Sequence, residues 1–126
     1  MAMEELVLVR PLAGAAELPV GQVEAYLSSQ RFSLRDAASG LFLLCGTPAA
    51  TQYARMRILT EPDEPMPPVV LIRVDPAEIQ INQRADDPAL VQAWEFCSWL
   101  LRTFRCAAFN AGGQNISSVF KGALPL

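Results

Sequence analysis

Apolar positions along the chain fall into short blocks, some spaced as strands are and some as helices are. Leu6-Val7-Leu8-Val9 is an unbroken apolar run closed by Arg10-Pro11, the pattern of a strand buried on both faces. Pro19 opens a helix through about Ser29, because Val20, Val23 and Leu27 share one side while Gln22, Glu24 and Ser28 face water. Phe32 and Leu34 alternate with Ser33 and Arg35, residues 36–40 supply turn chemistry, and residues 41–45 are a second apolar run. Together these predict a hairpin.

The next stretch carries two periods at once. Thr47-Pro48 suits an N-cap and first helical position, with a helix to about Arg55. Ala54, Met56 and Ile58, however, alternate with Arg55 and Arg57 as in a strand. The reading adopted is a short helix or turn followed by a strand. Glu61 to Pro68 is a proline-rich acidic loop, unsuited to either element. Val69 to Val74 and Glu78 to Gln83 read as strands joined at Asp75-Pro76, the second with Ile79 and Ile81 on one face and Gln80 and Asn82 on the other.

The strongest periodicity follows Asp87-Pro88, an N-cap and N1 proline, and predicts a helix to about Arg105. Leu90, Trp94, Cys97, Leu101 and Phe104 form its expected core stripe, widened by Ala93 and Leu100. Glu95, Ser98, Arg102 and Arg105 form the wet side. Phe96 and Trp99 fall on the flanks, where exposure would make them a partner surface. Ala107 to Asn110 suits a short strand, Gly112-Gly113 breaks it, and Ile116 to Leu124 forms a docking tail. The order β-α-β-β-(β)-β-β-α-β predicts a single α+β domain over residues 1–126, with a largely antiparallel sheet and two helices packed on one face.

Composition narrows the class. With 126 residues, 52% of them hydrophobic, the chain is long enough to bury a core of its own. Glu4 and Glu5 stand where a signal peptide needs positive charge, and no apolar run reaches the length of a membrane helix, so a cytoplasmic protein with no membrane contact is expected. Net charge is −3, which disfavours nucleic-acid binding. Nine of the ten basic residues are arginine, and Lys121 is the one lysine. The widely spaced Cys45, Cys97 and Cys106 suit core packing rather than disulfides.

The chain has no histidine. A Ser-His-Asp triad, a Cys-His pair and histidine metal sites are thereby ruled out, and no phosphate-cradling glycine loop is present. The carboxylates cluster as Glu61, Asp63 and Glu64, as Asp86-Asp87, and as Asp75 with Glu78. A solvated loop, a helix start and a hairpin turn account for them, so no catalytic residue, metal or cofactor is assigned. Gly112-Gly113-Gln114 resembles the signature of peptide-chain release factors, in which the glycines bring the backbone close and the glutamine positions water at an ester. The resemblance covers Ala111 to Gln114. Around that motif the family is basic, whereas Lys121 is the only lysine here, and two glycines after a strand also make an ordinary turn.

Small size, acidity and a high apolar fraction lead to a non-enzymatic protein-binding domain, with a homodimer as one form it could take, similar in general style to toxin-immunity proteins, secretion chaperones or adaptors. No motif of those families is present, so none of their residues is carried over. The expected partner-binding residues are Glu61, Asp63 and Glu64 in the acidic loop, with Phe96 and Trp99. The alternative is a small-molecule-binding domain, or a histidine-free enzyme using Asp/Glu and Arg in a pocket against the sheet. A deep pocket with converging Arg and carboxylates would favour it; a flat apolar face would favour docking.

Overall fold

A computed structural model describes residues 6–60, 69–83 and 87–120. In chain order the elements are β1 (Leu6–Pro11), α1 (Val20–Ser29), β2 (Ser33–Arg35), β3 (Phe42–Leu44), α2 (Pro48–Thr60), β4 (Val70–Val74), β5 (Ile79–Asn82), α3 (Asp87–Thr103) and β6 (Cys106–Asn110), then a 3-10 turn at Ser117–Phe120. The strands form one sheet in the order β2-β3-β4-β5-β1-β6. Every neighbouring pair is antiparallel, so the protein is α+β as expected. The first strand lies deep in the sheet, with Val7 opposite both Ile81 of β5 and Asn110 of β6.

Strand alternation assigns the two faces. Val7, Val9, Phe42, Leu44, Val70, Ile72, Ile79, Ile81 and Ala108 form the main core with Val23 and Leu27 of α1 and the buried residues of α3. Their neighbours Leu43, Cys45 and Val69 point the other way, into a smaller cluster with Ala54 of α2. Two helices therefore share one face, and a third covers the β2–β3 end of the other.

Three expectations need correction. The strand expected near residues 54–58 is instead the second half of α2. Thr47 caps that helix, its Oγ1 accepting the Ala50 N–H at 3.1 Å, and Thr51 and Ala54 present its buried side at helical spacing. The Arg55/Arg57 alternation is coincidental. Second, β1 is buried on one face rather than both, since Leu6 and Leu8 are half-buried. Third, the inner face of α3 is rotated toward Ala89, Ala93, Phe96, Cys97 and Leu100, all at most 1% exposed, leaving Leu90, Leu101 and Phe104 half-buried. Trp94 stays buried, its indole N–H donating to the Val119 carbonyl at 3.2 Å. Small residues allow a helix to approach closely, so the contact line follows alanines as much as bulk.

That close approach involves the chain after β3. Gly46 has φ +81° and lies against the start of α3, where an added Cβ would overlap the Ala89 nitrogen and the Pro88 carbonyl carbon. Gln92 ties the region together: its Oε1 accepts the Gly46 N–H at 2.7 Å and its Nε2 donates to the Arg31 carbonyl at 2.6 Å. At the far edge, the Ala108 carbonyl accepts Ile116 N–H at 2.8 Å and Ser117 Oγ accepts Ala108 N–H at 2.9 Å. The segment after β6 thus covers part of that strand's outer edge.

Candidate functional site

Alternation leaves β4, β5, β1 and β6 with an outward face that no helix of the main core covers. Register aligns it in rows: Leu71, Asn82 and Leu6 lie side by side, and Arg73, Gln80, Leu8 and Phe109 form the next row. Leu6, Leu8, Leu71 and Phe109 are half-buried, while Arg73 and Gln80 are exposed. Leu6, Leu41, Leu71, Arg73, Gln80 and Asn82 line a shallow depression of about 170 Å³. On the same side of the sheet, α2 shows Tyr53 (52% exposed) and Met56 (49%) to solvent.

One end of this face is held rigid by a polar network. Arg10 Nε donates to Glu78 Oε2 at 2.7 Å, and Gln80 Nε2 donates to Glu78 Oε1 at 3.0 Å. The Arg10 guanidinium also sits over the Phe109 ring, 5.6 Å from its centre. The hydrogen bonds from Gln80 and Arg10 hold the Glu78 carboxyl below the usual carboxylate range. Its contribution is therefore present above the ordinary glutamate pKa and is lost as pH falls through the lowered one.

The residues expected to bind a partner are not brought together. Phe96 is 1% exposed and packs in the main core, which corrects its placement on a partner surface. Trp99 is half-buried, stacked on Tyr26 at 4.0 Å between ring centres and edge-on to Phe104 at 5.3 Å. Glu61, Asp63 and Glu64 lie outside the described residues. The structure adds Leu6, Leu8, Arg73 and Phe109, whose common face follows from strand order. The outward direction of Gln80 and Asn82 was the part of this face visible in the sequence.

A second concavity, about 470 Å³, runs between residues 14–19 and the end of α3. Glu17, Gln22 and Arg105 line it, and all three are exposed to water, which weakens any charge pairing across it. Among the described residues, no group of three or more His, Cys, Asp or Glu could hold a metal ion. Gly112-Gly113-Gln114 forms a turn closed by Asn110: its carbonyl accepts Gly113 N–H at 3.0 Å and its Oδ1 accepts Gln114 N–H at 2.9 Å.

Cys45, Cys97 and Cys106 are free and buried. Burial pushes the thiols of Cys45 and Cys97 up, with the nearby Cys106 adding to the effect on Cys97, so neither forms thiolate near neutrality. The native protein is expected to react with a thiol-specific disulfide reagent only slowly at pH 8, and completely in denaturant. Fast colour release from the native protein would contradict this packing.

Among the described residues no helix is long and apolar enough to cross a membrane. Compared with known proteins, the chain matches no family model, no curated protein and no solved structure.

Proposed function

We propose that this is a non-enzymatic docking domain that binds another protein through the outward face of β4, β5, β1 and β6. The observation that carries the reading is half-buried Leu6, Leu8 and Phe109, with Leu71 at the margin of the α2 cluster, on the part of the sheet face that no described helix covers. Completing the burial of such side chains is favourable, at ~25 cal/mol per Å² of apolar area. Four strands and three outward rows present roughly 400 Å². A standard stable interface covers about 800 Å² per partner. The face alone therefore suits a transient contact, and Tyr53 and Met56 on α2 would extend it for a larger partner. A second copy of the chain is one such partner.

A photo-crosslinking residue placed at Leu8 or Phe109 of the full chain, expressed in its native cells, tests the reading. Discrete protein adducts are expected from both positions and none from Glu95, which is exposed on the opposite side of the sheet. An adduct of twice the chain mass identifies self-association. Adducts that are equal at all three positions, or missing at Leu8 and Phe109, would refute docking at this face.

A further inference from the structure

Resting on the docking reading, we infer that the depression around Arg73 receives a carboxylate from the partner, presented beside an aliphatic or aromatic side chain. Arg73 is exposed on the outward face of β4 and, among the described residues, makes no ion pair. The other arginine of this face, Arg10, is already committed to Glu78 and to the Phe109 ring. Glu78 in turn is held by Arg10 and Gln80. Asp75, two residues on and just past the end of β4, forms no ion pair with Arg73. Among the described residues of these four strands, Arg73 is therefore the positive group left without an ion pair, in a protein whose net charge is −3.

Its surroundings define the rest of the ligand. Leu6, Leu41 and Leu71 line the same depression and supply an apolar floor, and the amide of Gln80 stands opposite Arg73 in register. A guanidinium presents parallel donors that match both carboxylate oxygens, and a partly desolvated apolar margin strengthens that pairing. About 170 Å³ accommodates one or two side chains rather than a folded surface. The occupant is thus an acidic peptide segment of a partner protein, with Asp or Glu next to a hydrophobic residue.

Selection of short random peptides displayed on phage against the full chain tests this directly. Sequences that pair Asp or Glu with a neighbouring aliphatic or aromatic residue should be enriched. Selection against Arg73→Glu should lose the acid and enrich Lys or Arg in its place. A peptide recovered on the wild type should bind Arg73→Glu about tenfold more weakly or worse, and Arg73→Lys with an intermediate loss, because lysine keeps the charge but not the paired donors, with unfolding midpoints unchanged. No enrichment, enrichment without an acid, or an acid preference that survives Arg73→Glu would overturn the assignment. If Leu8 crosslinks persist in Arg73→Glu while the peptide preference fails, docking stands and the carboxylate assignment falls. If the wild type itself gives neither Leu8 crosslinks nor the peptide preference, the docking face itself is wrong.

Discussion

Gly46→Ala is expected to lower the unfolding free energy by about 3 kcal/mol. A left-handed backbone costs an L side chain ~1–2 kcal/mol, and forcing a methyl into a filled space adds ~1–3. Both costs apply here, because φ is +81° and the new Cβ would meet the backbone of Pro88 and Ala89 rather than a side chain able to swing aside. Moving the helix start away would also break the hydrogen bond from Gly46 N–H to Gln92. Gly113 separates the two terms: its φ is +84°, but an added Cβ meets nothing within 4 Å. Gly113→Ala should therefore cost only the backbone part, about 1–2 kcal/mol. Urea unfolding of both variants provides the comparison, and equal losses would mean that Gly46 does not touch α3.

Phe96→Ala should cost about 3–5 kcal/mol, the range for removing a fully buried aromatic side chain. Phe96 is 1% exposed and lies in the main core, its ring 5.8 Å from that of Tyr26. Trp99→Ala removes a half-buried ring and one close stack, and should cost less, about 2 kcal/mol. The order of the two losses is decisive. On a partner surface, Phe96 could be truncated with little effect on folding. A smaller loss for Phe96→Ala than for Trp99→Ala would return Phe96 to that surface.

This same residue shows where the sequence stops being informative. Periodicity located α3 to within two residues at its C-terminal end, but ranking side chains by bulk turned its face toward Leu90, Leu101 and Phe104. The actual contact line keeps Ala93 from the expected stripe and adds Ala89 and Phe96; the small size of Ala89 permits the approach and carries little hydrophobic signal of its own. The hairpin between β2 and β3 was legible because its turn is built locally: Asp36 Oδ1 accepts Ala38 N–H and Oδ2 accepts Ser39 Oγ. The start of α2 was legible in Thr47-Pro48, but its second half was not, since Arg55 and Arg57 imitate strand alternation within a helix.

The candidate site was hidden for a different reason. Arg73, Gln80, Leu8 and Phe109 come from four strands and share a row only because β1 lies between β5 and β6. Local alternation placed Gln80 and Asn82 outward, yet nothing local distinguishes a strand with one open face from one covered twice. The apolar run at the start of the chain therefore read as doubly buried.

The placement of β1 also sets an order of events during synthesis. Val7 and Val9 leave the ribosome well before their strand partners, Ile79 and Ile81 on one side and Ala108 and Asn110 on the other. Until then a nascent chain carries an apolar strand with both hydrogen-bonding edges open. The β2–β3 and β4–β5 hairpins, by contrast, can close early, through contacts between near neighbours in the chain. Long-range pairing of this kind slows folding and prolongs the exposure of sticky edges. The expected consequence is that yield depends on how well β1 is shielded until β5 and β6 are made, and not on final stability alone.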